Sequence, residues 1–155
     1  MSATIFTVLL LRDHAWFLPK RSTQSICDYS ITLQPDNIAA VSREVGEKLR
    51  NGALPEGLDQ KTALLIEESL KYIVKQNPED EIRADIKINR HEDGVRFTIV
   101  DDGSAYNPIS AFDKTDTLQT DALEETIILG LSSKVEYNRA LDLNQLSVLI
   151  RLPVS

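Results

Sequence analysis

The stretch 82–99 constrains the fold more than any other. Ile82, Ala84, Ile86 and Ile88 alternate with polar residues, Glu92-Asp93-Gly94 interrupts the run, and Val95, Phe97 and Ile99 alternate back. Successive side chains of a strand point to opposite faces, so this pattern predicts an antiparallel hairpin with one face packed and one face wet. An apolar sheet face needs a second layer to cover it.

Two helical segments can supply that layer. Ile38, Val41, Val45 and Leu49 fall on one face of a helix opened by Pro35 and Asp36 and ended by Asn51-Gly52 as a left-handed stop, with Arg43, Glu44, Glu47 and Lys48 outside. A second helix is expected from Asp59, a good N-cap, up to Pro78, with Ala63, Ile66, Leu70, Ile73 and Val74 as its buried stripe. Tyr29, Ile31 and Leu33 alternate with Ser30 and Thr32 as a strand ahead of both helices. Leu123, Ile127, Ile128 and Leu131 predict a third helix, in which Gly130 is a packing or kink residue, and 135–137 and 146–152 predict two closing strands. The fold expected is α+β: a two-layer sandwich whose mainly antiparallel sheet is covered on one face by about three helices. A chain of 155 residues suits one core and a single domain.

Composition removes several function classes. A net charge of -7 with no Lys/Arg-rich face repels a phosphate backbone, so no nucleic-acid partner is expected. Cys27 is the lone cysteine and neither His14 nor His91 belongs to a cluster with metal-ligand spacing, which argues for a reducing, cytoplasmic setting without a structural metal. Residues 3–11 form an apolar run, followed by Trp16, Phe17, Leu18, Lys20 and Arg21. The run is shorter than the ~20 residues that span a bilayer and lacks the features of a secretory signal. Residues 1–26 are therefore an apolar arm and linker, or the flank of a removed membrane span with its basic cytosolic side, and residues 27–155 form the domain. Membrane association is expected only through residues 1–20.

From Asp101 to Thr120 the chain is rich in Gly, Ser, Asn, Asp, Pro and Thr, a composition that sustains no packed element. A connection of this length inside a compact domain is usually functional, and 104–120 is expected to be its loosest part. It begins, directly after a strand, with Val100-Asp101-Asp102-Gly103-Ser104-Ala105-Tyr106-Asn107-Pro108. This stretch resembles the GHKL superfamily of histidine kinases, gyrase and MutL, in its branch of bacterial anti-sigma-factor serine kinases, which shows Asp-Asp-Gly, two residues, an aromatic, Asp or Asn, then Pro. Val135-Glu136-Tyr137-Asn138-Arg139 followed by Asn144-Gln145-Leu146 is similar to that branch's closing hairpin, and with the element order the likeness covers about 28–152. The resemblance implies a Bergerat-type histidine-kinase-like ATPase domain that binds ATP or ADP. Asp101 would then accept the adenine amino proton, Gly103 would allow the ring to approach the backbone, and Tyr106 and Asn107 would complete that corner.

The resemblance also implies a glutamate and, four residues later on the same helix face, an asparagine that holds magnesium. Glu68, with Glu67 one position off, fits the catalytic role, but the fourth residue after Glu68 is Tyr72. A phenol is a poor magnesium ligand, which weighs against a bound metal. The glycine cluster that should cradle phosphates maps to Asp121-Ala122-Leu123-Glu124, with no glycine and two acids that would repel a triphosphate. Three functions follow from the resemblance. One is a noncatalytic module that binds a regulatory protein of the sigma-factor or antagonist type, or a second copy as a homodimer. Another is an active ATP-dependent protein serine/threonine kinase using Glu68, Asp101 and Gly103. The last is a cytosolic regulatory tail of a membrane protein.

Overall fold

A computed structural model describes residues 24–108, 127–128 and 130–152. Five strands, β1 (Gln24–Leu33), β2 (Ile82–His91), β3 (Gly94–Asp101), β4 (Lys134–Ala140) and β5 (Leu143–Arg151), form one sheet, and helices α1 (Ile38–Asn51) and α2 (Leu58–Gln76) follow β1. The sheet order is β1-β2-β3-β5-β4, and every neighbouring pair is antiparallel. The architecture is the expected α+β two-layer sandwich. Most of the third helix lies outside the described residues. Ile127, Ile128, Gly130 and Leu131 are helical and Ile128 is fully buried.

The β2–β3 hairpin is built as its alternation requires. Ile82, Ala84, Ile86 and Ile88 of β2 and Val95, Phe97 and Ile99 of β3 are all buried. They share one apolar cluster with Val45 and Leu49 of α1, with Leu65, Ile66, Leu70 and Ile73 of α2, and with Leu146, Val148 and Ile150 of β5. The opposite sheet face is less wet than expected near the end of β3, where Val100 and Leu143 form a small second cluster with Ala140. Gly94 opens β3 because the β5 backbone lies against it: a Cβ there would stand 2.1 Å from the carbonyl oxygen of Ile150.

Several element ends differ from the sequence expectation. β1 begins at Gln24 and crosses the boundary drawn at residue 26, because its pairing with β2 continues past an irregularity between Ser25 and Cys27. Pro35 and Asp36 form a turn, and α1 starts only at Ile38. Asn37 closes that turn by accepting from Gln34 N at 2.9 Å and donating Nδ2 to the Thr32 carbonyl. The left-handed residue after α1 is Ala53, with φ 53°, whereas Gly52 has an ordinary φ of -79°. Gly57, with φ 85°, occupies the N-cap of α2, so Asp59 sits inside the first turn, where its charge still complements the helix dipole. Of the stripe expected on α2, Ala63 is only partly buried, and Leu65 takes a core place instead. Among the described residues, a Cβ on Gly130 would meet nothing within 4 Å, which leaves the kink rather than the packing reading of this glycine.

Candidate functional site

Strand β3 runs out at Asp101, and the chain turns there because Asp102 keeps hold of the neighbouring strand. Its Oδ1 accepts from Arg83 N at 2.8 Å, and its own N–H donates to the Arg83 carbonyl. The Asp101 side chain points the other way, into the protein, and is 0% exposed. Its Oδ1 accepts from Gly103 N at 2.9 Å and from Asn144 Nδ2 at 3.0 Å. Asn144 faces Asp101 across the β3–β5 ladder, so sheet register brings the two together.

Asn144 is the hub of a small polar network. Besides Asp101, its amide donates to the carbonyls of Gly103 and Ser104, and its Oδ1 accepts from Tyr137 Oη at 2.5 Å and Arg139 Nη1 at 2.8 Å. Arg139 also donates to Gly103 O. From α2's end, Asn77 Oδ1 accepts from Ser104 N at 2.9 Å while its Nδ2 donates to Ile73 O. Tyr106 N then donates to Tyr137 Oη. The segment Ser104-Ala105-Tyr106, the start of the loop expected to be loose, is therefore hydrogen-bonded at both ends. Residues 109–120 lie outside the described residues.

Gly103 has a structural reason to be glycine. A Cβ would stand 2.6 Å from Asn77 Nδ2 and 3.0 Å from Asp101 Oδ1, so a side chain would push apart the two groups that hold the turn.

Three tyrosines close the corner. The Tyr106 ring packs edge-on against Tyr72 of α2, with centroids 5.3 Å apart, and tilted against Tyr137 of β4, with centroids 5.0 Å apart. Aromatic pairs prefer such geometries, so the stack orders Tyr106 as well as burying it. Burial raises the Asp101 carboxyl above its ordinary 3.8. The Asn144, Gly103 and Tyr106 donors pull it back, and the Asp102 charge adds to the rise. Burial, and then the Asp101 charge, push the Tyr106 hydroxyl well above its ordinary 10.0. The two groups thus act on each other, yet neither Asp101 Oδ2 nor Tyr106 Oη makes a hydrogen bond of good geometry, although both are buried. A buried polar atom left in this condition costs about 1–3 kcal/mol.

Of the residues singled out from sequence, Asp101, Gly103, Tyr106 and Tyr72 meet in this corner. Glu68 stands one turn before Tyr72 on the same helix face, buried and within 3.3 Å of Lys71 Nζ, which also reaches Glu67 at 3.7 Å. Asn107 is exposed on the loop. Asp121, Ala122, Leu123 and Glu124 lie outside the described residues. Sequence reasoning assigned no role to Asn77, Tyr137, Arg139 or Asn144. The available signal was the Asn144-Gln145 amide pair at the start of β5, whose first member the register places opposite Asp101.

An open cavity of about 270 Å³ lies elsewhere, between α1 and α2, lined by Ser42, Gly46, Arg50, Asp59, Ala63 and Glu67 among others. No group of three or more potential metal ligands occurs among the described residues. None of the described helices is long and apolar enough to cross a membrane. The chain matches no protein-family model, and no curated protein matches it.

Proposed function

We propose that this chain is a regulatory ATPase-like domain of the anti-sigma-factor type, which acts mainly by binding a protein partner and binds ATP weakly or not at all. The observation that carries the reading is the state of the Asp101 corner: a fully buried carboxylate at a strand end, sealed by the protein's own Asn144, Gly103 and Tyr106. A site built for turnover leaves room for its substrate beside the recognising group, and among the described residues Asp101 is enclosed by the protein's own side chains. Tyr72, at the position where the resemblance implies a magnesium ligand, packs its ring against Tyr106. Glu68, buried on the same helix face, has Lys71 Nζ 3.3 Å away as an ion-pair partner. These features favour binding over phosphoryl transfer, because transfer depends on positioned metal and phosphate contacts. A fold persists when the chemistry of its site has been lost, and its surfaces remain free to recognise a regulatory protein or a second copy of the chain.

Thermal unfolding with ATP or ADP, with and without Mg²⁺, tests the reading. A ligand at 100 times its dissociation constant stabilises a protein by about 2.7 kcal/mol. The expected result at millimolar nucleotide is no shift, or a small shift with ADP that Mg²⁺ does not improve. A clear Mg-ATP stabilisation that Asp101→Asn abolishes would overturn the proposal in favour of the kinase.

A further inference from the structure

The sheet has a second face. Among the described residues the helices pack on one side only, since α1, α2 and Ile128 share their apolar cluster with the inward residues of the strands. On the other side stand the odd-numbered residues of β2 and β5 and the even-numbered ones of β3. An antiparallel sheet face that meets water carries exposed polar side chains. This one is dry along β5: Leu149 is 8% exposed, Ser147 7% and Gln145 5%. Leu149 nevertheless belongs to neither apolar cluster of the described residues. Gln145 Oε1, and His91 Nε2 at the end of β2 on the same face, are buried without a hydrogen bond among the described residues. Leu149 thus lacks an apolar neighbour and Gln145 lacks a donor. A lipid surface would supply only the first, whereas a segment of polypeptide supplies both.

We propose that the apolar N-terminal arm of this chain, residues 3–18, docks on this open sheet face, with Trp16, Phe17 and Leu18 over Leu149 and Gln145. The arm lies outside the described residues, and the argument is one of reach and chemistry. Near the start of β1, Ser25 opens a row that register continues through Asn89 and Arg96 to Leu149. Three strand spacings of about 4.8 Å put Leu149 about 14 Å from Ser25. Leu18 precedes Ser25 by seven residues, which span about 23 Å when extended. The apolar trio therefore reaches Leu149 with length to spare, and the run 3–11 can continue along β5 toward Leu143 and Val100. The backbone of such a segment brings the N–H donors that Gln145 Oε1 lacks, and it can meet His91 Nε2 in either tautomer. This face is on the opposite side of the sheet from the Asp101 side chain, so the inference stands apart from the ATPase-like reading.

Trp16 is the only tryptophan of the chain and reports on the arm in the intact protein. In the full chain its emission is expected to be blue-shifted relative to the chain in denaturant and shielded from acrylamide, to a degree independent of protein concentration. Leu149→Lys and Gln145→Lys should each shift the emission to the red and restore quenching while far-ultraviolet circular dichroism stays unchanged. Leu141→Lys, at a leucine 62% exposed on the β4–β5 turn, should leave the tryptophan signal as it is. Should both face variants unfold, Leu149→Ser is expected to give the same release of Trp16. The inference is overturned by a Trp16 quenched in the folded wild type as fully as in denaturant, or by folded face variants that leave it shielded. Shielding that grows with protein concentration would assign the face to a second copy, and shielding that appears only with vesicles of phosphatidylcholine and phosphatidylglycerol would assign the arm to a membrane; either overturns it. Unfolding of all three face variants also overturns it, by making the face part of the core.

Discussion

Asp101 is a residue that stability alone would not retain. Asparagine at this position keeps an oxygen for Gly103 N and Asn144 Nδ2 without a buried charge. Asp101→Asn is expected to stabilise the protein at neutral pH by about 1 kcal/mol, which in a domain of this size raises Tm by about 3 °C. The pH dependence has a definite sign. A carboxyl whose folded pKa is raised favours folding below its unfolded value of 3.8 and loses that contribution as pH climbs through the raised folded value. The stability gap between variant and wild type should therefore be small below pH 3.8, widen above it, and level off once the folded carboxyl has ionised. Denaturant titrations across the acid range would show a flat difference if burial did not control this group. Asn144 behaves in the opposite way. Asn144→Ala leaves Asp101, Arg139, Tyr137 and two loop carbonyls without a shared partner, and a loss of about 3 kcal/mol in chemical denaturation is expected.

Among the elements, the β4–β5 hairpin has the least suitable turn residues. Leu141 and Asp142 both have positive φ, 56° and 61°, in a two-residue connection that favours Asn-Gly, and Leu141 is 62% exposed. Replacing the pair by Asn-Gly should stabilise the fold by about 1 kcal/mol, since glycine and asparagine adopt this backbone without the strain that a leucine side chain meets. An unchanged or lowered Tm would show that Leu141 makes a contribution that outweighs its backbone strain. The same hairpin marks the limit of what local pattern conveys. Period-two alternation made β2 and β3 readable from Ile82, Phe97 and their neighbours, because one face of each strand is buried and the other is not. β5 is buried at every residue from Leu143 to Ile150, so it has no alternation to reveal its full length. β4 is partly exposed throughout and carries only Val135, Tyr137 and Ala140 as apolar marks. The site divides along the same line. Asp101, Gly103 and Tyr106 form one contiguous motif, whereas Asn77, Tyr137 and Asn144 join it only through helix position and strand register, which no local stretch encodes. Tyr106 was visible as an aromatic in a motif; its burial between two other rings depends on α2 and β4 converging there.

For the molecule as a whole, one apolar cluster links both helices with strands β1, β2, β3 and β5. The second cluster, Val100 and Leu143 with Ala140, is too small to form a core of its own, so unfolding followed by far-ultraviolet circular dichroism and by tyrosine fluorescence should give coincident single transitions. A tyrosine signal that changes earlier would show the Tyr72–Tyr106–Tyr137 group opening ahead of the sheet. The strand order adds a temporal consequence. β3 lies in the middle of the sheet, but its partner on one side, β5, is the last element described, so a nascent chain that has left the ribosome only through Pro108 carries β3 as a bare edge. Phe97 and Ile99 then lack their β5 cover, and Asp101 lacks the amide that receives it. That interval of synthesis is when the protein is most exposed to edge-to-edge association, and the arrival of Asn144 ends it by capping the edge and completing the corner together.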